Sequence, residues 1–309
     1  DDVPYMFPVS FYLDLDDKAQ KKVFVSANDK QKQVPQCLLM YYKDEMNMLT
    51  GDEKILYDVV KELGQTEPLI AHIIYKSMLD ADTKSEVENK TGREVKAPGV
   101  KANEIVKDLL GIDMCKVIKK GMKESKAKNM SPEMISKRCV SILQTYFEAW
   151  ERVENFSFNM SGTKEAGVAV KMAGMKFMIM IFPQVWDYII ALRKPYDIKT
   201  LTELLKRMLK MLGRTPIDEF NNDDYNMVDF YSTYEEDNGI SSKKDSLFKS
   251  ERYKMYFRDR TGISYLAEIV KEHLGYIKKT DAIDADEIIE NSFKEKRVKY
   301  YNLNLTLYS

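Results

Sequence analysis

The order of apolar and polar positions predicts a mostly helical chain that begins with one strand. Residues 9–13 alternate and are rich in aromatic and β-branched side chains, as is typical of a strand. Asp16 or Asp17 then caps a short predicted helix, because a carboxylate accepts hydrogen bonds from the free amides of a first helical turn. Residues 28–33 form a polar loop, and Pro35 fits the start of a second helix.

Longer segments with apolar residues at helical spacing follow. They predict helices over residues 51–64, 67–79, 103–110, 131–153, 163–192 and 197–213. Ser131 and Pro132 are a strong start for the helix over residues 131–153, because the serine caps the helix and the proline fits its first turn. Pro183 interrupts the apolar pattern over residues 163–192 and predicts either two helices or one sharp kink there. The polar residues 80–101 predict an exposed hairpin or loop. A short strand over residues 94–96 is implied by the family resemblance described below.

The last third of the chain is more mixed. Residues 216–240 are acidic and aromatic, and we expect a solvated connector whose aromatic side chains contact the core. Clustered carboxylates also suit Mg²⁺, but no Asp-x-Asp spacing lies beside a strand, so the connector is favoured. A helix that Ser264 caps and Gly275 ends is predicted next, followed by another over residues 284–293. The alternating residues 298–307 predict a strand on a sheet edge or on a partner.

The composition predicts a soluble, cytoplasmic globular protein. The chain has 309 residues, enough for a large core and two packed subregions. Since the net charge is −1, no overall positive field indicates nucleic-acid binding, and any basic surface must be local. The longest apolar run, residues 177–182, is far shorter than the about 20 residues of a membrane span. No signal peptide is recognisable in the residues before the predicted strand, and we expect no membrane contact.

No catalytic constellation is recognisable in the sequence. Cys37, Cys115 and Cys139 lack CxxC spacing and are expected to be buried, reduced thiols. We expect His72 to be a hydrogen-bonded imidazole in the core and His273 to lie near a helix C-terminus. Without a nucleophile–base pair, a Gly-rich phosphate loop or a cluster of metal ligands, enzyme activity stays open and no cofactor is assigned.

Two lysine-rich segments are candidate DNA contacts. Residues 116–128 hold six lysines, and the helix over residues 197–213 carries basic residues opposite its apolar face. The candidates are Lys119, Lys120, Lys199, Lys206, Arg207 and Lys210. A solvated surface is the alternative in both segments, because an exposed helix face carries polar residues in any case.

The loop over residues 28–33 is the strongest candidate for a binding site. Asn28 and Gln31 each donate and accept hydrogen bonds, so together they can hold a base, a phosphate or a nucleotide without carrying charge. Lys30 and Lys32 add positive charge beside them. The alternative is that Asn28 caps the turn while Gln31 is exposed.

This loop carries a resemblance to a known family. The residues that carry it are Phe24-x-x-x-Asn28-x-x-Gln31-x-x-Val34-x-x-x-Leu38. This order resembles the second half of the DGQHR-domain family, which looks like a branch of the ParB-like superfamily and includes regulators associated with DNA phosphorothioate modification. The Asp-Gly-Gln-His-Arg motif itself is absent from this sequence, and we expect it upstream of Val9, in residues that precede this chain. In the ParB-like superfamily a related Asn…Gln pair belongs to the nucleotide or substrate pocket, so the resemblance implies that role for Asn28 and Gln31.

Together these observations predict an α+β protein that is mostly α, with a partial ParB-like α/β N-terminal part followed by a helical domain. Residues 1–115 are predicted to be the C-terminal portion of a DGQHR/ParB-like domain, and residues 116–309 the helical domain. The first functional hypothesis is a DNA-associated regulatory or accessory protein of a bacterial or phage DNA-modification or defence system.

Two alternatives remain open from the sequence. One is a nucleotide hydrolase or nuclease whose catalytic motif lies upstream of residue 1, and the other is a helical scaffold for protein partners. DNA is accordingly the first expected partner, followed by a nucleotide, a second copy of the chain, or other proteins of the defence system.

Overall fold

The part of the chain that the structure describes is mostly helical, with one very small sheet. The computed structural model describes residues 16–28, 35–70, 72–75, 99–158, 167–215, 227–236 and 246–305. Its elements are α1 (Asp17–Asn28), α2 (Gln36–Glu45), α3 (Gly51–Leu63), β1 (Ile73–Ile74), β2 (Val100–Lys101), α4 (Ala102–Gly111), α5 (Met114–Val117), α6 (Glu124–Lys128), α7 (Pro132–Glu154), α8 (Met172–Ala191), α9 (Ile198–Arg214), α10 (Met227–Glu236), α11 (Glu251–Lys254) and α12 (Arg260–Leu305). The mostly α class is therefore confirmed.

Three of the helix starts that the sequence predicts are confirmed at α1, α2 and α7. The Asp16 carboxylate accepts a hydrogen bond from the Ala19 amide at 2.6 Å, and Pro35 directly precedes α2. The Ser131 hydroxyl accepts from the Met134 amide at 3.2 Å at the start of α7. Capping of this kind stabilises a helix by about 1 kcal/mol. The strands predicted over residues 9–13 and 94–96 lie outside the described residues.

The helix predicted over residues 67–79 is wrong within the described residues. Ile73 and Ile74 instead form β1, which pairs in parallel with Val100 and Lys101 of β2. The pairing buries both isoleucines, and β-branched side chains fit a strand better than a helix. Gly99 allows the close approach, because a Cβ at this position would collide with the carbonyl oxygen of His72.

Helices α7 and α8 form the centre of the core. α7 packs against α3 and α9, whereas α8 packs against α4 and α12. The ring of Tyr146 in α7 is buried 5.1 Å from the ring of Phe182 in α8, and its hydroxyl donates to the Met178 carbonyl oxygen at 2.8 Å. The rings of Trp150 and Phe177 lie 6.3 Å apart. Each such aromatic pair adds about 1 kcal/mol beyond the area that it buries.

The proline in this centre does not divide the helix. Pro183 lies inside α8, which runs uninterrupted from Met172 to Ala191, so the two-helix alternative is wrong. A proline inside a helix costs about 3 kcal/mol, through a lost hydrogen bond and a clash with the preceding turn. Phe182, Val185 and Trp186 are buried beside it. Burying each of these side chains contributes about 2 kcal/mol, which together exceeds that cost.

The two helices that follow carry the predicted basic face and the acidic connector. The helix predicted over residues 197–213 is confirmed as α9, and the Asp197 carboxylate caps it by accepting from the Thr200 amide at 2.8 Å. Residues 227–236 of the predicted connector form α10. Phe230 and Tyr231 of α10 are half-buried against the core, as expected for this segment.

The C-terminal segment differs most from its prediction. Residues 260–305 form one helix, α12, in place of two helices and a strand. Its first turn is capped by Asp259, whose carboxylate accepts from the Gly262 amide at 2.8 Å, and not by Ser264. Gly275 lies inside α12, where it costs only about 1 kcal/mol relative to alanine. Packing of α12 against α8 and α9 outweighs a cost of that size.

Most of the buried apolar residues in the described part of the chain form one cluster. The cluster extends from Leu49, before α3, to Ile277 in α12. The division into residues 1–115 and 116–309 stays a prediction. Among the helices in the described ranges, none has both the length and the apolar character that crossing a bilayer requires.

Replacement of Gly275 distinguishes a continuous α12 from a helix that ends there. Gly275 has no atom within 4 Å of the position that a Cβ would take, so Gly275→Ala should raise the free energy of unfolding by about 0.5–1 kcal/mol. Urea unfolding followed by circular dichroism would measure this change. Gly213→Ala near the end of α9, also in open space, is the matched control. Destabilisation by Gly275→Ala alone would indicate a helix end at this residue.

Candidate functional site

The predicted Asn/Gln loop lies between α1 and α2. Asn28 is the last residue of α1, whereas Lys30, Gln31 and Lys32 lie outside the described residues. α1 and α2 pack together, so the two ends of the loop are held by neighbouring helices. A role of this loop in binding stays a prediction.

A cleft of about 420 Å³ lies directly after this loop, between α2, α3 and α4. This volume is within the range of small-molecule sites. It is lined by Gln36, Leu39, Met40, Lys43, Glu53, Asn103, Glu104, Val106, Lys107 and Leu110. The Asn103 amide donates to the Glu104 carboxylate at 3.1 Å, while the Asn103 Oδ1 atom is buried with no partner in the described part of the chain. Two lysines and two glutamates give the lining of this cleft side chains of both charges.

The lysine-rich segment over residues 116–128 is held against the C-terminal end of α8. Lys120 Nζ lies 3.0 Å from the carboxylate of Asp187, and Arg138 of α7 donates to the Ile118 carbonyl oxygen at 3.3 Å. Gly121 has a positive φ of 79°, and its position leaves no space for a side chain beside Ile190. The segment therefore has a defined place on the surface, with Lys119 half-buried and Lys120 exposed.

The predicted basic face of α9 is also on the surface. Lys199, Lys206 and Lys210 are exposed, opposite the buried leucines and methionines of the helix. Lys199 and Lys210 are eleven residues apart, which corresponds to about 17 Å along an α-helix. That length matches several phosphate spacings along a DNA strand.

Arg207 lies on the same face but is paired within the protein. Its guanidinium donates two hydrogen bonds of 2.9 Å to the two carboxylate oxygens of Asp281 in α12. Lys194 donates to the same carboxylate at 3.1 Å, and the Tyr188 hydroxyl does so at 2.5 Å. We call Tyr188, Lys194, Arg207 and Asp281 the Asp281 cluster. Its members are far apart along the chain, and only Arg207 was predicted as a site residue.

The hydrogen bonds in the Asp281 cluster control the charge of its carboxyl group. Burial alone would raise the pKa of Asp281, but the hydrogen bonds from Arg207, Tyr188 and Lys194 outweigh burial and lower the pKa to about 2. Asp281 is therefore a carboxylate at neutral pH. Its side chain is 12% exposed, compared with 47% for Arg207.

Both lysine-rich segments are connected to the last turns of α8. Lys120 pairs with Asp187, and the next residue, Tyr188, belongs to the Asp281 cluster together with Arg207 of α9. Segments that lie about 80 residues apart in sequence are thus connected to the same part of α8. We call the exposed cations of these segments the basic surface: Lys116, Lys120, Lys123, Lys126, Lys128, Lys199, Lys206 and Lys210.

His273 is part of the core and does not lie near a helix C-terminus, because α12 continues beyond it. The Thr215 hydroxyl donates to the Met211 carbonyl oxygen at 3.0 Å, so its oxygen accepts from His273 Nε2 at 2.8 Å. His273 Nδ1 then accepts from the Tyr231 hydroxyl at 3.1 Å. Burial lowers the pKa of His273 to about 3, so the imidazole is neutral and serves to hold α10 on α12.

His72 and the cysteines are also structural. His72 is buried, as predicted, and burial lowers its pKa to about 4, weakly opposed by the Val170 backbone. Its ring nitrogens have no well-formed hydrogen bond within the described ranges, contrary to the prediction. Cys37, Cys115 and Cys139 are buried free thiols, as expected. In the described part of the chain, no three His, Cys, Asp or Glu residues are placed to hold a metal ion.

At acidic pH, protonation of Asp281 makes the free energy of unfolding depend on pH. Its pKa lies below the ordinary value of 3.8, so its contribution is complete above about pH 4 and is lost as the pH falls towards 2. Because solvent screens part of this interaction, we expect about 1 kcal/mol. The difference in free energy of unfolding between the wild type and Asp281→Asn should therefore shrink between pH 4 and pH 2. A constant difference would contradict this, and Glu251→Gln controls for the loss of one surface carboxylate.

Comparison with known proteins assigns neither a family nor a function to this chain. No protein-family model, no curated protein and no solved structure matches the chain. The resemblance to the DGQHR-domain family stays a prediction, and the function has to be inferred from the basic surface, the cleft and the loop.

Proposed function

We propose that this protein is a DNA-associated regulatory or accessory protein, acting in a bacterial or phage DNA-modification or defence system. The observation that supports the proposal is the basic surface, in which two lysine-rich segments are each connected to the last turns of α8. Lysines bind the phosphate backbone through charge, without regard to base sequence. Sequence preference would then come from elsewhere, including the loop between α1 and α2.

The proposal gives the first part of the chain the role of a ParB-like module. The residues that resemble the DGQHR-domain family begin in α1 and end in α2, on either side of the loop. In this proposal Asn28 and Gln31 contact a base or a phosphate, while the basic surface binds the backbone. The protein then acts in the cytoplasm, where DNA is accessible.

A nucleotide-binding enzyme is the second candidate, and the cleft beside the loop favours it. Lys43 and Lys107 line this cleft together with the amides of Gln36 and Asn103. Amides and ammonium groups are suitable partners for a base and a phosphate. A labelled nucleoside triphosphate that binds saturably to the wild type, and more weakly to Lys107→Gln, would favour this candidate over the DNA-associated protein.

Neutralising lysines of α9 tests the basic surface. Lys206→Gln/Lys210→Gln should weaken binding to duplex DNA about tenfold and reduce the slope of log affinity against log salt by about 1.8, because two phosphate contacts are lost. Fluorescence polarisation at several salt concentrations measures both quantities. Lys254→Gln/Lys271→Gln changes the net charge equally at two surface ion pairs and should leave both unchanged. Absence of binding by the wild type at low salt would contradict the DNA proposal.

The loop is tested by a change in DNA affinity that is not accompanied by a change in salt dependence. Asn28→Ala/Gln31→Ala should weaken DNA binding about tenfold while leaving the salt slope unchanged, because amide contacts release no counterions. Gln65→Ala, at an exposed position after α3, is the control. Unchanged affinity in the double variant would exclude the loop from the interface, and a reduced slope would mean that the basic surface had been disturbed.

A further inference from the structure

Three hydrogen-bond donors converge on one carboxylate between α8, α9 and α12. Arg207 donates to both oxygens of Asp281 at 2.9 Å, and Lys194 and Tyr188 donate to Oδ2 at 3.1 and 2.5 Å. Lys194 also donates to the Tyr188 hydroxyl at 2.7 Å, which fixes the two donors relative to each other. The three donors therefore form a preorganised site for a planar or tetrahedral oxyanion.

This set of donors suits a phosphate group as well as it suits a carboxylate. A guanidinium binds two oxygens of either anion through parallel hydrogen bonds, and an ammonium adds a point charge. A phosphate offers additional acceptor oxygens for Lys194 and Tyr188. The carboxylate of Asp281 thus occupies the place that two phosphate oxygens would take.

The site shares the elements that carry the basic surface. Arg207 follows Lys206 on α9, and Tyr188 follows Asp187, the partner of Lys120. The cations of the site also reach solvent, since the side chains of Arg207 and Lys194 are 47% and 38% exposed. A phosphate of a bound nucleic acid can therefore approach both cations without entering the core.

Asp281 lies where the buried part of α12 ends. Ile277 is the last buried residue of this helix within the described side chains, and Ile283 is 57% exposed. Up to Ile277, core packing holds α12 in place, whereas at Asp281 the polar cluster holds it against α8 and α9. Loss of the Asp281 contacts therefore leaves the core packing of α12 intact.

We propose that Tyr188, Lys194 and Arg207 form a binding site for a backbone phosphate of nucleic acid, and that Asp281 occupies this site in the unbound protein. Binding of nucleic acid replaces the carboxylate with a phosphate, so α12 acts as a built-in competitor that weakens binding. This inference rests on the proposed DNA function and names one of its contacts and the means of its regulation.

Removing the charge of the competitor tests the inference. Asp281→Asn keeps the size of the side chain but removes its charge, so it should bind duplex DNA about tenfold more tightly at low salt, with a salt slope steeper by about 0.9. Arg207→Gln added to Asp281→Asn should abolish this gain. Glu268→Gln is the matched control, because it releases Lys271 from a surface pair on the same helix and changes the net charge equally. The control should bind DNA as the wild type does.

The outcomes separate this inference from the proposed function. If the wild type binds DNA and Asp281→Asn binds no more tightly, the competitor is excluded while the DNA proposal stands. If Glu268→Gln increases the affinity for DNA as much as Asp281→Asn does, the increase comes from the change in net charge. The proposed phosphate site is then excluded as well. If neither the wild type nor Asp281→Asn binds at low salt, both proposals fail.

A second measurement decides the question if Asp281→Asn does not fold, as judged by circular dichroism. In the wild type, duplex DNA should accelerate hydrogen exchange at the amides of residues 279–283 and leave the amides around His273 unchanged. Slower or unchanged exchange at residues 279–283 on binding would overturn the displacement of Asp281.

Discussion

The hydrogen bond from the Tyr146 hydroxyl to the Met178 carbonyl oxygen joins α7 to α8 in a region without access to solvent. Around it, the rings of Phe182, Trp150 and Phe177 pack edge to face. α3 and α9 pack on α7, and α4 and α12 pack on α8, so the positions of these four helices depend on this contact. The same packing keeps α8 helical through Pro183, since the buried side chains on either side of the proline offset its cost.

The position of α8 also determines the surface on which the functional proposal rests. Its last turns provide Asp187 for Lys120 and Tyr188 for Asp281, so the segment after α5 and the middle of α12 both contact this part of α8, and Arg207 of α9 contacts the same Asp281. Both contacts are polar and lie at the edge of the core. The basic surface is thus placed by apolar packing, while its charge is adjusted locally by carboxylates from α8 and α12.

The sequence predicted those features that depend on neighbouring residues. Ser131 caps its helix as expected, and the basic residues of α9 lie opposite its leucines, because a 3.6-residue period separates the two faces. It failed at Ile73, which is in a strand because Val100 pairs with it. It also failed at Gly275 and at the alternating residues 298–305, which are helical in spite of their pattern. Of the candidate site, exposure of the lysines was predictable, but the partner of Arg207 was not.

The sequence by itself determined which residues carry positive charge and where α1, α2, α3, α4, α7 and α9 begin. Both follow from residue type and spacing alone. Only the tertiary structure decided that Arg207 pairs with Asp281, that His273 bridges Thr215 and Tyr231, and that Lys120 pairs with Asp187. These contacts join residues that are 42 to 74 positions apart. No local pattern encodes such pairs, because they exist only after the apolar faces of the helices have packed into one core.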